Sequence, residues 1–339
     1  MTTTSTIVVA EDPSVMVRVW RRLLGVQKEF PVLQLLAVAV ILVIGANALP
    51  GLLNPSSIRL MLVMAAITGI AALGQTLVII VGGIDLSIAS MIGAGALAIS
   101  QLPSITGLDF WVIFVGVIVG AGVIGAGVGY VSHRFDLNPL IISLGAGAIA
   151  LGIALVLTGG SFTGTAPAWL GKFMSPISTT FGLPIPPVVS LWIVIAIVMF
   201  VLFTWTATGR RLSAVGTNRK AADLTLIRSR KMWVIVFMVS AIGSAVVGIL
   251  LAGYSGSADL TLGNTYMFQS LAAVVVGGTM MGGKGDYNRT ITGALLITAL
   301  NTVLIGIGFS YADQQILFGL VILGAVVAYG RERKLRDRI

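Results

Sequence analysis

Residues 73–97 read LGQTLVIIVGGIDLSIASMIGAGAL, an almost wholly apolar stretch that is interrupted at Gly82, Gly83 and Asp85. Two adjacent glycines are unfavourable inside a helix, because glycine loses the most backbone freedom on ordering. A carboxylate among apolar residues is costly unless it caps a helix, pairs, or faces water. We therefore predict that one helix ends at the glycines and that a second begins at Asp85, which caps it. Broken helices of this kind are typical of membrane proteins that pass solutes.

The composition is that of a membrane protein. Hydrophobic residues make up 57% of the 339 residues, charged residues make up 10%, and the mean hydropathy is +1.03. A soluble domain carries roughly 25% charged residues. The chain has no cysteine and a single histidine, which excludes a disulfide framework, cysteine chemistry and a multi-histidine metal site. We expect no metal and no cofactor bound by this chain.

Apolar runs predict the membrane topology. We count ten runs long enough to span or nearly span a bilayer: 31–49, 58–81, 86–102, 110–131, 139–157, 188–208, 232–253, 265–281, 290–309 and 314–329. The fold class is therefore an all-α polytopic membrane protein with about ten transmembrane segments, some broken at glycines. Its parts are an N-terminal segment 1–30, a transmembrane domain 31–330 and a basic tail 331–339.

The placement of Lys and Arg predicts the orientation. With the N-terminus inside and the spans alternating, nineteen of the 21 cations lie on inner segments, and only Arg59 and Lys172 lie outside. Cytoplasmic loops carry this excess of cations in membrane proteins. Both termini are therefore predicted to be cytoplasmic. Since topology accounts for the net charge of +9, no nucleic-acid partner is expected.

A second glycine-rich break follows the eighth span, in the sequence VVVGGTMMGGKGD at 274–286. Gly277, Gly278, Gly282 and Gly283 allow tight turns or close helix contact. Laid on residues 73–97 with an offset of 200, this region matches four small residues and predicts a duplicated break. A phosphate-binding loop is excluded, because no strand precedes the glycines and no Lys-Ser/Thr pair follows them.

Neutral polar residues accompany the two breaks and suit a hydroxyl-rich neutral solute better than an ion. Each could instead form a hydrogen bond between helices. The candidates for the substrate path are the neutral residues Gln75, Asn264, Tyr266, Gln269 and Asn301, together with the acidic Asp85 at the first break.

The inner segment 209–231, GRRLSAVGTNRKAADLTLIRSRK, carries seven cations and one acid. A short helix over residues 219–226 is predicted, with Asn218 as its cap. Ala221 and Ala222 leave a low surface that another protein can approach, although the cations alone also satisfy the positive-inside pattern. The candidate docking residues are Gly209, Gly216, Asn218, Ala221, Ala222 and Asp223.

Three of these stretches resemble the membrane subunits of ribose-type ABC sugar importers. They are 74–87, 209–224 and 274–285, and the resemblance extends over roughly residues 32–330. It implies a permease of the bacterial cytoplasmic membrane that pairs with a second permease chain, identical or related. It also implies a cytoplasmic ATPase, which holds ATP and Mg²⁺ and receives segment 209–231, and an extracytoplasmic sugar-binding protein. Where this chain has Leu226 and Ile227, the family usually has Gly-Ile.

Three alternatives are weighed against this interpretation. An ion-coupled transporter or a channel is disfavoured by the scarcity of ionisable residues within the spans. A permease of the branched-chain amino-acid type is disfavoured by the GGIDLS stretch at 82–87. An intramembrane enzyme would need a cysteine, a histidine pair or a carboxylate pair at helical spacing, and none is present. We therefore expect a non-catalytic subunit that passes a monosaccharide or a related polyol, with the particular sugar left open.

Overall fold

One helix, α2 (Pro55–Ile80), is the most buried of the long apolar helices. The helices Pro187–Trp205, Ser229–Ser255, Thr261–Val276 and Tyr287–Gly306 pack against it. The computed structural model of the chain describes residues 31–283 and 285–336. Proline at the first position of α2 fixes a helical φ where no backbone donor is needed, and Asn54 precedes it in an extended conformation. Within α2, 89% of the most apolar window is buried inside the chain. This helix is therefore the core of the protein rather than a lipid-facing element.

The described residues form thirteen helices and no β-strand apart from one isolated bridge. Their bounds are α1 Val32–Ala48, α2 Pro55–Ile80, α3 Ile88–Thr106, α4 Phe110–Arg134, α5 Pro139–Leu157, α6 Ala168–Met174, α7 Pro187–Trp205, α8 Ala207–Thr217, α9 Arg219–Leu224, α10 Ser229–Ser255, α11 Thr261–Val276, α12 Tyr287–Gly306 and α13 Tyr311–Arg336. The predicted all-α fold is confirmed for this part of the chain.

Seven of these helices are long and apolar enough to cross a membrane: α2, α3, α4, α5, α7, α10 and α12. Each of the ten predicted runs coincides with a helix, and the other three lie on α1, α11 and α13. The helices α1 and α11 have only 17 and 16 residues. The predicted segment 1–30 lies outside the described residues. Of the predicted tail, residues 331–336 continue α13 and the last three lie outside the description.

Small residues let the inner helices approach one another closely. A side chain at Gly125 or Gly129 of α4 would collide with the backbone carbonyls of Phe237 and Trp233 on α10. Such contacts favour helix association in lipid, where apolar surface alone gives no preference for protein over acyl chains. By contrast, only 22% of the corresponding window of α5 or of α7 is buried, so their apolar faces suit lipid or another chain.

Candidate functional site

The first glycine break ends α2 as the sequence predicts. Gly82 has φ +90°, and the backbone N–H groups of Gly82 and Gly83 donate to the carbonyls of Ile79 and Val78, at 3.0 and 2.9 Å. This hydrogen-bond pattern closes a helix on a left-handed residue, a conformation that glycine adopts without a steric penalty. The prediction that a helix ends at these glycines is confirmed.

The prediction that the next helix begins at Asp85 is wrong. Helix α3 begins at Ile88, and the N–H groups of its first turn receive no side-chain cap. Asp85 is buried, and its Oδ1 accepts hydrogen bonds from the backbone N–H and the hydroxyl of Ser87, at 2.8 and 2.6 Å. This local turn competes with helix formation, as short acidic side chains often do. Residues 81–87 therefore form an irregular linker.

The linker is fixed to three neighbouring helices by side chains. The hydroxyl of Ser240 on α10 donates to Oδ2 of Asp85 at 2.7 Å. The amide oxygen of Gln75 on α2 accepts from the Asp85 N–H at 3.3 Å, and Ser143 on α5 accepts from the Leu86 N–H at 3.0 Å. These bonds satisfy backbone groups that neither a helix nor water would satisfy here. Ser240 was not predicted, although its i, i+4 spacing with Ser244 on an apolar helix was a possible signal.

The second break closes α11 in the same way as the first closes α2. Gly278 has φ +93°, and the N–H groups of Gly278 and Thr279 donate to the carbonyls of Val275 and Val274, at 3.0 and 3.2 Å. The structural counterpart of Gly82 is therefore Gly278, and the offset of 200 predicted from sequence is wrong. Matching glycines by identity misled that comparison, because the chain has many of them. Gly277 ends α11 with a helical φ of −59°, and Gly283 lies in the following turn.

The two breaks meet at the end of α2. The backbone N–H of Gly282 in the second break donates to the carbonyl of Ile79 at 2.9 Å. Gly82 and Gly282 approach so closely that a Cβ on Gly82 would lie 3.7 Å from the Cα of Gly282. The carbonyl of Ile79 thus accepts from both breaks, because the Gly82 N–H also donates to it. Displacing one break would therefore act directly on the other.

The inner segment 209–231 reaches the same place. It folds as two short helices, α8 and α9, of which only the second was predicted. In α8 the buried residues Leu212 and Val215 are spaced for one helical face. Gly216 packs directly on the carbonyl of Ile80, where any Cβ would clash. We define the Ile79–Gly82 end of α2, with Gly216 and Gly282 against it, as the inner junction.

Hydrogen bonds hold α9 in place. Asn218 caps it as predicted, its Oδ1 accepting from the Ala221 N–H at 3.0 Å. Asp223 accepts from the N–H of Ser229 at 3.2 Å, and hydrogen bonds from Ser229 hold the pKa of this carboxyl below its ordinary value. The carboxylate is therefore charged at neutral pH and stabilises the N-terminus of α10. At the start of the segment, Gly209 donates to the Thr206 hydroxyl and packs on α7.

The expectation that Ala221 and Ala222 together form an approachable surface is wrong for Ala222. Ala221 is exposed, but Ala222 is 4% exposed and packs in the apolar cluster with Val215 and Trp233. The helical period turns adjacent residues by about 100°, so neighbours cannot share one narrow face. The exposed apolar residues of this segment are instead Leu224 and Leu226, at 86% and 91%.

Leu226 stands out for its backbone as well. It has φ +62°, in the left-handed region that a branched side chain disfavours. The N–H of Ile227 donates back to the carbonyl of Ala222 at 3.1 Å, so Leu226 occupies the position that usually ends a helix with glycine. Glycine, which the family resemblance implies at this position, would adopt this conformation without that steric penalty.

The predicted path residues fall into two groups along α2. Gln75 and Asp85 lie together near the inner junction. Farther along, the Gln269 amide oxygen accepts from the Thr68 hydroxyl at 3.2 Å, and the Tyr266 hydroxyl lies 3.6 Å from the sulfur of Met64. The remaining candidates are placed differently, with Asn264 exposed and Asn301 half-buried.

Broken helices around a buried central helix, with an inner segment packed on the break, define a solute-passing membrane protein of the permease class. A family model described as the permease component of the branched-chain amino acid transport system matches residues 57–326. The chain belongs to this permease family.

Curated relatives agree with the family match. The ribose import permease protein RbsC of Bacillus subtilis is 33% identical over 297 residues, which covers 86% of this chain and 90% of that protein. RbsC of Haemophilus influenzae is 35% identical, and the match covers 86% of this chain and 91% of that protein. The autoinducer 2 import system permease protein LsrD of Photorhabdus temperata is 30% identical, and the match covers 86% of this chain and 89% of that protein. No solved structure matches the chain.

Proposed function

We propose that this chain is the membrane-spanning subunit of an ABC importer that carries a monosaccharide or a related polyol into the cell. The observation that carries the proposal is the inner junction, where the inner segment packs on the helix end at which both breaks meet. A force applied to the inner segment would reach both breaks through Gly216 and Ile80. The names of the ribose permeases that this chain resembles supply the class of solute.

The mechanism that fits this geometry is alternating access. A partner ATPase binds ATP and Mg²⁺, closes, and moves α8 and α9. Because α8 rests on the end of α2, the linker 81–87 and the second break reorient together, and the path opens to the other side. This chain contributes the path and the docking segment, while hydrolysis belongs to the partner.

Ten spans with both termini in the cytoplasm complete the proposed topology. The charge bias supports it, since the cations concentrate on alternate segments. It counts α1, α11 and α13 as membrane-crossing or re-entrant segments in addition to the seven long apolar helices. The same bias places α8 and α9 on the cytoplasmic side, where the ATPase acts.

The proposed docking surface for the ATPase is Leu224 and Leu226. Both leucines are largely exposed, and hydrogen bonds of Asn218 and Asp223 hold the segment that carries them. Rigid, exposed apolar side chains lose little entropy when a partner covers them, which favours their use as anchors. Ala221 lies on the exposed side of the same helix.

The substrate path is proposed to follow α2. Gln75, Tyr266 and Gln269 present amide and phenol groups along this helix, and such groups can exchange their interhelical hydrogen bonds for those of a sugar hydroxyl. Asn264 and Asn301 extend this polar set toward the outer side.

The permease is proposed to work as a pair, most simply of identical chains. Each chain has one docking segment, whereas the ATPases of this class act as two facing modules. Native mass spectrometry of the purified importer should show two permease chains, and a single chain in the functional complex would contradict the proposal.

Substrate-stimulated hydrolysis tests the proposed solute. The complete importer, with its ATPase and binding protein, should hydrolyse ATP faster with one member of a pentose, hexose and polyol panel. Leucine, isoleucine and valine should not stimulate it. Stimulation by an amino acid alone would favour the branched-chain alternative that the family description raises.

A further inference from the structure

The outer loop between α5 and α7 carries a rigid turn that exposes an aromatic side chain. The backbones of Thr180 and Leu183 exchange two hydrogen bonds, of 3.1 and 2.9 Å. The two residues between them, Phe181 and Gly182, have φ of +50° and +80°. Positive φ at both central positions defines a two-residue turn that normally carries Asn-Gly. Phe181 instead occupies the first central position and is fully exposed.

Side-chain hydrogen bonds of Thr180 stabilise the turn, whereas the exposed side chain of Phe181 contributes no packing to it. The Thr180 hydroxyl donates to the carbonyl of Ile185 at 2.8 Å, and the Ser190 hydroxyl donates to Thr180 at 3.1 Å. A bulky residue in the left-handed region carries a steric cost. Its side chain recovers none of that cost by burial in this chain. Strain of this kind is a signature of functional positions.

An open surface depression of about 460 Å³ lies beside the turn. Its walls include Trp169, Phe173 and Ile177, and Lys172 supplies a cation. Lys172 is the single charged residue between α5 and α7 in the sequence. A carboxylate flanked by apolar groups would complement these walls, because it pairs with the ammonium group while its neighbours cover the aromatic rings.

Lipid is the competing occupant, and the sequence around the turn disfavours it. The aromatic cluster of Trp111 stacked on Trp169 at 5.8 Å is typical of a membrane interface. Beyond that cluster, hydroxyl residues precede Phe181 at Ser175, Ser178 and Thr179. Such a stretch favours water over acyl chains, so the turn is directed toward an aqueous partner.

We propose that residues 177–183 and the adjoining surface depression are the surface on which the extracytoplasmic binding protein docks. Phe181 enters an apolar recess of that protein, and Lys172 pairs with one of its carboxylates. This inference rests on the proposed importer function, which requires such a partner on the outer side. It adds the residues that make the contact and the chemistry of the partner surface.

Substitution and binding measurements test the surface. The complete permease–ATPase complex is placed in lipid nanodiscs, and the affinity of its binding protein is measured by interferometry. Phe181→Asn keeps a residue suited to positive φ but removes the ring, so affinity should fall more than about tenfold, as for an aromatic anchor. Lys172→Glu should also weaken binding, most strongly at low salt. Phe162→Ala, at a 45% exposed position of the same loop, should change affinity less than about twofold.

Cysteine labelling separates a protein partner from lipid, because the native chain has no cysteine. Phe181→Cys should react with a water-soluble maleimide and be protected when the binding protein is added, whereas Phe162→Cys should stay reactive. A position 181 that is unreactive from the start shows insertion into lipid and overturns the proposal. If Phe181→Asn binds the binding protein with unchanged affinity, the docking proposal is overturned. If the binding protein still stimulates ATP hydrolysis in that experiment, the proposed importer function is retained. If no binding protein stimulates hydrolysis, both fail.

Discussion

At the scale of single residues, Asp85 is the most consequential side chain of the inner region. Its carboxylate accepts three hydrogen bonds, and one of them joins the linker 81–87 to Ser240 on α10. Each such hydrogen bond contributes about 0.5–1.5 kcal/mol, and a buried donor left without a partner is costly. The linker therefore depends on a residue that accepts from both sides.

Substitutions of Asp85 should separate polarity from charge. Asp85→Leu leaves the donors of Ser87 and Ser240 unsatisfied and should abolish uptake or expression. Asp85→Asn should leave partial uptake, because the Ser240 hydroxyl can rotate and accept from the new amide. Asp109→Leu, which removes an exposed helix cap of about 1 kcal/mol, is the control and should retain uptake. Normal binding-protein-dependent uptake by Asp85→Leu would refute this role.

Leu226 yields a prediction in which stability and docking change in opposite directions. Leu226→Gly relieves the left-handed strain and should stabilise the permease by about 1 kcal/mol. It also removes a 91% exposed apolar anchor and should lower the amount of ATPase that co-purifies with tagged permease. Leu224→Ala should lower co-purification without the gain in stability. Full retention of the ATPase by both variants would contradict the proposed docking surface.

At the scale of elements, the inner junction makes the conformation of Gly82 decisive. Gly82→Ala places a Cβ on a residue with φ +90°, which should cost about 1–2 kcal/mol and disturb the bond between Gly282 and Ile79. Gly116→Ala is the matched control, because Gly116 lies inside α4 with no atom within 4 Å of an added Cβ. Thermal unfolding in detergent should show a loss only for Gly82→Ala. Equal thermal stability of the two variants would contradict a structural role for the inner junction.

Because Ala222 is buried and Ala221 is exposed, a charge introduced on α9 should affect stability differently at these two positions. Ala222→Glu places a carboxylate in the apolar cluster with Val215 and Trp233. The free energy of unfolding should therefore fall by about several kcal/mol, and the yield of folded protein should fall with it. Ala221→Glu adds the same charge at an exposed position and should leave the permease folded. Fluorescence-detected gel filtration of both variants checks this difference. Two equally stable variants would show that Ala222 is not part of the core.

Several of these elements could be predicted from the sequence, and others could not. Apolar runs locate the long helices because lipid forces backbone hydrogen bonds to close within each segment. The Asn218 cap and the helix end at Gly82 follow from local chemistry and are confirmed. The start of α3 was mispredicted because Asp85 bonds to Ser87 and to the distant Ser240. The contact between Gly282 and Ile79 depends on tertiary packing that no local pattern encodes.

At the scale of the whole molecule, the chain combines a buried central helix, α2, with outer helices such as α5 and α7 whose apolar faces suit lipid. This arrangement fits a chain in which only 10% of the residues are charged. Helix α2 is the most buried of the long apolar helices, and α10 and α12 pack against it. The two breaks meet at its C-terminal end, where Gly216 of the inner segment also packs. In the proposed mechanism, solute movement depends on work that the ATPase does on the inner segment, rather than on an ion gradient across the membrane.

Uptake into proteoliposomes tests this claim most directly. Permease and ATPase are reconstituted together, binding protein and a radiolabelled monosaccharide panel are supplied on the outer side of the permease, and ATP is supplied on the ATPase side. We expect accumulation of one sugar that requires both ATP and the binding protein and is unaffected when proton and sodium gradients are collapsed. Accumulation that proceeds without ATP and stops when an ion gradient is collapsed would contradict it.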